Sequence, residues 1–165
     1  MYFGILEKGK LIMENNRSYS ADVPLYTLNP IFQLVSVLLI VGLCANNKSK
    51  TVSIGRIMLY MWGLGSKRNL DKLIQLKKNK NIGDIPMATD DCIINVVRQC
   101  VNDGLLDVKK EGNTALYDLT IFGRSLLYKL RQTDLYKDIE EGLKSVGVLP
   151  ETYVKQLEIN WYAEV

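Results

Sequence analysis

The sequence predicts a mainly α-helical fold that carries one small β-hairpin. Apolar residues recur every three or four positions in several segments, which is the spacing of helices with one buried face. Two short apolar stretches flank a turn, Lys109 to Thr114, that contains Glu111-Gly112-Asn113. The 165 residues, 47% of them hydrophobic, are enough to bury a core without metals or disulfides.

The first predicted helix begins at Asn29-Pro30, where a cap residue precedes a proline in the first helical position. An N-terminal arm or hairpin is predicted for residues 1–28, which precede this helix. The helix runs to about Ala45 and is apolar on nearly every face, which places it at the centre of the fold or in an interface. The apolar run is shorter than the roughly 17 to 25 residues of a membrane span, so we expect no membrane insertion.

Two further helices follow along the chain. Ser53 can cap the first of them, and its apolar residues keep helical spacing as far as Gly63 and Gly65. The second, from Lys67 to Lys80, is amphipathic and strongly basic. Its charge indicates either a surface that faces nucleic acid or an ordinary solvated helix face.

A fourth helix precedes the hairpin. Thr89 or Asp90 can cap it, and Gly104 stands where a left-handed residue ends a helix. Its buried stripe consists of Ile93, Val96, Val97, Cys100 and Val101.

The hairpin strands are predicted at 105–108 and 115–119, and Thr120 then caps a helix from Ile121 to Leu130. Phe122, Leu126, Leu127 and Leu130 are expected to point inward from that helix. The second, third and fourth helices, the hairpin and this further helix, in that order, are typical of a winged helix-turn-helix core.

The C-terminal part, residues 134–165, predicts two amphipathic helices added to the core of residues 29–133. Asp134 can cap the first, with Leu135, Ile139, Leu143 and Val146 at helical intervals and Gly147 at its end. The second begins at Glu151 and carries Val154, Leu157 and Trp161. These helices either pack on the first helix or lie in a partner's groove with Trp161 as anchor.

Composition argues against several kinds of chemistry. The chain has no histidine, which excludes imidazole bases and histidine metal ligands. The segment from Gly63 to Lys67 lacks the spacing of a phosphate-binding loop, and no nucleophile elbow occurs. Cys44, Cys92 and Cys100 are interpreted as buried, reduced thiols. We therefore expect a cytoplasmic protein that is not an enzyme and uses no cofactor or metal.

The helix before the hairpin is the one that reads DNA in winged-helix proteins. Its outward positions carry one positive charge and two negative charges; they are Asp91, Asn95, Arg98, Gln99, Asn102 and Asp103. Because carboxylates beside phosphates cost electrostatic free energy, specific base reading is disfavoured. Weaker, non-specific contacts with double-stranded DNA are expected from basic residues elsewhere, namely Lys67, Arg68, Lys72, Lys77, Lys78, Lys80, Lys109 and Lys110.

The segments from Val101 to Leu106 and from Tyr117 to Gly123 resemble the end of a winged-helix module. Over most of its length the chain is similar to the middle component of bacterial ABC-three-component systems, which include the Lamassu-type anti-phage and anti-plasmid systems. The similarity lies in residues 28–32, 50–62 and 104–123.

This resemblance implies a subunit without catalysis that links an SMC-like ATPase to an effector, often a nuclease, in a DNA-sensing hetero-oligomer. The predicted partner contacts lie on the first helix and on the C-terminal helices: Ile31, Phe32, Leu34, Leu38, Ile139, Leu143 and Trp161. The alternative function is a dimeric winged-helix transcription regulator that dimerises through the apolar helix.

Overall fold

The computed structural model describes residues 29–45, 51–80, 85 and 90–163, with side chains described up to Glu158. The predicted N-terminal arm, residues 1–28, lies outside this range. The fold is mainly helical, with one small antiparallel sheet. In chain order the elements are α1 (Pro30–Ala45), β1 (Val52–Ser53), α2 (Ile54–Leu64), α3 (Lys67–Asn79), α4 (Asp91–Asn102), β2 (Leu106–Glu111), β3 (Thr114–Leu119), α5 (Ile121–Gln132), α6 (Lys137–Val146) and α7 (Glu151–Ala163).

Helix α1 lies at the centre of the fold, which is one of the two positions that its sequence predicted. The Asn29 side chain caps it by accepting from the Ile31 amide at 3.0 Å. Beyond the first turn it is buried nearly all round, and it packs against α2, α4, α5, α6 and strand β3. A largely apolar surface is stable here because helices and the sheet cover it on most sides.

Helices α2 and α3 begin at serine caps. The Ser53 hydroxyl accepts from the Arg56 amide at 3.2 Å, as the sequence predicted, and the Ser66 hydroxyl accepts from the Asn69 amide at 3.1 Å. Tyr60 is fully buried in α2. Its hydroxyl donates to the Gly147 carbonyl at 2.6 Å, so α2 is tied to the end of α6.

Helix α4 and the hairpin follow the predicted order. Asp90 caps α4 by accepting from the Cys92 amide at 2.9 Å, and Gly104 adopts φ +70° where the chain reverses into β2. The strands are longer than predicted, since they continue up to a two-residue turn. That turn has Gly112 at φ +58° in its first position, which suits a hairpin of type II′.

The sheet has a third strand that the sequence analysis did not predict. Val52 and Ser53 form β1, which pairs antiparallel with Tyr117 and Leu116 of β3, so the strand order is β1-β3-β2. Two residues are too few to show an alternating pattern. The pairing brings the start of α2 against the hairpin.

The prediction that Phe122 points inward from α5 is wrong, since its side chain is 64% exposed. Thr120 caps α5 as expected, accepting from the Gly123 amide at 2.9 Å. Gly123 and Leu127 are the residues buried against the rest of the fold. Because Gly123 sits against the Leu105 carbonyl, the helix is rotated so that the larger residue before it faces outward.

Helix α6 begins three residues later than the predicted cap. Asp134 has φ +54° and caps nothing, and Leu135 is 56% exposed, so both predictions at this helix start are wrong. The chain turns between Thr133 and Tyr136 to bring α6 back on the bundle, which swings Leu135 outward. Leu143 and Val146 are buried as predicted.

Helices α6 and α7 both pack on the chain's own core. Helix α6 contacts α1, α2 and α3, and α7 contacts α2. Glu151, the first residue of α7, forms an ion pair with Arg56 at 2.9 Å and accepts from the Ser53 hydroxyl at 2.6 Å. Val154 and Leu157 are buried. The described part of the C-terminal segment therefore packs on the chain's own core, with α6 on α1, α2 and α3 and α7 on α2.

Candidate functional site

The outward face of α4 is as the sequence predicted. All six residues expected there are exposed, while Ile93, Val97 and Cys100 are buried on the other side. The Gln99 amide donates to Asp103 at 3.5 Å, so one of the polar groups able to touch a base is engaged with a carboxylate. Arg98 is the one cation among these six residues, against Asp91 and Asp103.

The predicted basic residues lie in two groups. The first, on and just after α3, is exposed except for Lys72, which is half-buried; this helix packs on α2 and α6. The second, Lys109 and Lys110, is exposed on β2, whose packing partners are β3 and α4. Among the main packing contacts of the described residues, none is between α3 and β2, so the two basic groups lie on elements that do not pack together.

Helix α3 has basic residues at both ends, with Lys72 between them. Lys67 and Arg68 occupy a first turn that has no acidic residue, where the helix dipole adds further positive potential. The Lys77 ammonium lies beside Gly147 at the C-terminal end of α6, where helix carbonyls attract a cation. Lys77 therefore has an intramolecular role in addition to its positive charge at the surface.

Two of the residues predicted to contact a partner do not lie at the surface, so the prediction is wrong for them. Leu38 and Leu143 are fully buried in this chain's own core, because α1 and α6 pack with those sides against their neighbours. Ile31 is 52% exposed at the start of α1, and Phe32, Leu34 and Ile139 are half-buried. The side chain of Trp161 lies outside the described residues.

A second apolar surface was missed by the sequence analysis. On α5, Ile121 is 91% exposed, and Tyr128 and Phe122 are exposed as well. Ile121 and Tyr128 are seven residues apart and share one helix face with the exposed Ser125. We call Ile121, Phe122, Ser125 and Tyr128 the α5 outer face. The heptad spacing was visible in the sequence, but it could not show which face is outward.

A buried polar cluster lies between α1, α2 and α7. Arg56 is 6% exposed and forms the ion pair with Glu151 described above, close to the Cys44 thiol and Tyr60. Burial raises the pKa of Cys44, and Arg56 opposes the rise only in part. The thiol therefore stays protonated at neutral pH and is a poor nucleophile. The ion pair between Arg56 and Glu151 gives the cluster a structural role, because it holds α7 on α2.

Of the other two thiols, Cys100 is buried, whereas Cys92 is exposed at the start of α4. The prediction that all three are buried is wrong for Cys92, because it lies on the outward side of the first turn. Among the described residues no three potential metal ligands of the histidine, cysteine or carboxylate type group together.

The described surface has a shallow depression of about 160 Å³ between α1, α5 and α6. Arg131 and Glu140 lie at its wall and form an ion pair of 2.8 Å. This volume is below the roughly 300 to 1,000 Å³ of pockets that enclose small molecules. No helix in the described ranges is both long and apolar enough to cross a bilayer.

Alkaline pH is expected to destabilise the fold through its buried thiols. Burial raises the pKa of Cys100 from 9.0 to about 11, so the folded state keeps a proton that the unfolded state loses. The stabilisation is complete below pH 9 and falls by about 1 kcal/mol between pH 9 and pH 10. Urea unfolding at pH 8 and pH 10 measures the loss, and Cys100→Ala should reduce it. An equal loss in that variant would contradict the assignment to Cys100.

Comparison with protein families, with curated proteins and with solved structures found no match to this chain.

Proposed function

We propose that the chain is a non-catalytic adaptor subunit with a winged helix-turn-helix core, which links an SMC-like ATPase to an effector in a bacterial anti-phage or anti-plasmid defence complex. The partners come from the resemblance in the sequence. The core is supported by the strand order β1-β3-β2, in which the segment before α2 pairs with the hairpin that follows α4.

The observation that carries a role in assembly is the charge on the exposed face of α4. In a winged helix that reads DNA, this face enters the major groove and needs positive or neutral hydrogen-bonding groups. Here Asp91 and Asp103 stand at its two ends and outnumber Arg98. Each carboxylate would face phosphates without a compensating cation, which disfavours specific base reading.

The α5 outer face supports a protein partner. Ile121, Phe122 and Tyr128 expose apolar surface on one helix, and such grouped apolar residues on a polar surface are typical of protein interfaces. Tyr128 is one of the residue types that are enriched at the energetic centres of protein interfaces. We assign this face, together with Ile31, to the contact with the ATPase or the effector.

The alternative function, a dimeric transcription regulator, needs α1 as its dimer interface. Within the described residues, α1 is covered on most sides by the chain's own helices and sheet, so little of its apolar surface is left for a second copy. The basic residues of α3 and β2 suit non-specific phosphate contacts in either function.

The decisive experiment compares partner binding with DNA binding. Co-purification with a coiled-coil ATPase encoded beside the chain is expected, and Ile121→Ser/Phe122→Ser should lower the recovery at least about tenfold without lowering the thermal midpoint. Gln132→Ser, an exposed polar substitution on the same helix, is the matched control and should leave recovery unchanged. Duplex DNA should bind the isolated chain weakly, with a steep dependence on salt and no sequence preference.

Two results would overturn the adaptor function. One is tight binding of the isolated chain to one short palindrome with strong discrimination against random duplex. The other is failure of the ATPase to co-purify with the wild-type chain. Full recovery of the ATPase with the Ile121→Ser/Phe122→Ser variant would instead remove only the α5 outer face from the interface.

A further inference from the structure

Strand β2 has an exposed edge. In the order β1-β3-β2 it lies at the side of the sheet, and every residue from Asp107 to Glu111 is exposed. An unpaired strand edge presents free backbone amides and carbonyls, which makes it a ready template for another strand.

The hydrogen-bond alternation of the hairpin shows which groups face outward. The Thr120 amide donates to the Leu105 carbonyl at 3.1 Å, so this pair belongs to the bonded set. In an antiparallel ladder bonded and non-bonded pairs alternate, which makes Asp107/Asp118 and Lys109/Leu116 bonded pairs. The amides and carbonyls of Leu106, Val108 and Lys110 therefore point away from β3 toward the free edge.

We propose that β2 pairs antiparallel with β2 of a second copy of this chain, about a twofold axis at Val108. In this register the outward amide and carbonyl of Val108 bond to those of Val108 of the partner subunit. Asp107 then lies opposite Lys109 of the partner subunit, and the symmetry repeats this opposite-charge pair on the other side of the axis.

Charge selects this register over the others. A twofold axis perpendicular to an antiparallel pair places the residue at the axis opposite its own copy. Val108 is uncharged and 50% exposed, whereas the other exposed residues of β2 are Asp107, Lys109, Lys110 and Glu111. An axis at any of those four would put like charges face to face, which is destabilising.

The proposed register also determines the geometry of the two Asp107–Lys109 ion pairs that it would form. Asp107 and Lys109 would occupy non-bonded positions of the new ladder, where opposing Cα atoms are only about 4.5 Å apart. Both residues belong to the sheet face opposite to that of the buried Leu106, so the pairs form at the surface and weaken in salt. The dimer uses no residue of α1 and no residue of the α5 outer face, so both proposed partner surfaces stay free. It does engage Lys109, one of the residues proposed for phosphate contacts.

The first test uses charge reversal in the isolated full chain. The mass by sedimentation equilibrium is expected to rise with concentration from 18.7 kDa toward twice that value. Asp107→Lys and Lys109→Asp should each raise the dissociation constant at least about tenfold, because two attractive pairs become repulsive. The combined Asp107→Lys/Lys109→Asp variant restores both pairs and should dimerise like the wild type.

Mixing the two single variants gives the sharpest result. Two copies of the same single variant repel each other, because like charges then lie face to face. In a mixed dimer, lysines lie opposite aspartates at both positions, so the mixed dimer should form under conditions where neither variant dimerises alone. Native mass spectrometry separates the mixed dimer from the two self-pairs. Circular dichroism on each variant confirms that the fold is retained.

A covalent test fixes the axis. Val108→Cys in a chain that also carries Cys92→Ser should form a disulfide-linked dimer under mild oxidation, because residues opposite each other in a bonded pair have Cα atoms about 5.5 Å apart. Lys110→Cys in the same background is the matched control and should not cross-link, since Lys110 lies opposite Leu106 of the partner subunit.

Several outcomes would overturn the proposal. A wild-type chain that stays monomeric at all concentrations rules out the dimer. Dimerisation that is unaffected by both charge reversals places the interface elsewhere. Loss of the dimer without rescue in the combined variant, or equal cross-linking at positions 108 and 110, rejects this register. Capture of a different protein's strand at β2, with no self-association, would assign the edge to a partner instead.

Discussion

Replacing Gly123 with alanine is expected to lower the free energy of unfolding by about 3 kcal/mol. A Cβ at this position falls on the carbonyl oxygen of Leu105. That oxygen belongs to backbone that also accepts from the Thr120 amide, so it cannot move without disturbing the junction between the hairpin and α5. A second contact, with Leu119 at 3.3 Å, limits movement of the helix in another direction.

Urea unfolding of Gly123→Ala should be compared with that of Gly104→Ala. Gly104 has φ +70°, but a Cβ there meets no atom within 4 Å, so only backbone strain of about 1 kcal/mol is expected. Equal losses in the two variants would show that α5 does not approach Leu105 as closely as the structure indicates.

Leu38→Ala is expected to lower the free energy of unfolding of the isolated chain by about 2 to 5 kcal/mol. Leu38 is fully buried in α1, and the truncation leaves a cavity at the centre of the core. Ile31→Ala, at the exposed start of the same helix, is the matched control and should change stability by less than about 0.5 kcal/mol. Thermal and urea unfolding of both variants measure the difference.

The same pair of variants separates the two possible positions of α1. If Leu38→Ala left stability unchanged but abolished binding to a partner, α1 would be an interface helix, which is the second of the two positions that its sequence allowed. A loss of stability in the absence of any partner agrees with its central position.

The sequence was sufficient for the helix starts at Asn29, Ser53 and Thr120, for the turn out of α4 at Gly104 and for the existence of the hairpin. It narrowed the start of α4 to Thr89 or Asp90, and the structure shows Asp90 as the cap. Caps and turns depend on hydrogen bonds and dihedral angles within a few residues, which a sequence shows directly. The polar face of α4 was also predictable, because its buried stripe is regular enough to define the opposite side.

Other features depended on residues far apart in the chain. The rotation of α5 is set by the contact of Gly123 with Leu105, and it exposes Phe122, although the spacing of leucines alone suggested that Phe122 was buried. The start of α6 is set by the turn at Asp134, and β1 exists because β3 is beside it. Which apolar face becomes core and which remains at the surface depends on the packing of distant elements, so the burial of Leu38 and the exposure of Ile121 were decided only in the folded chain.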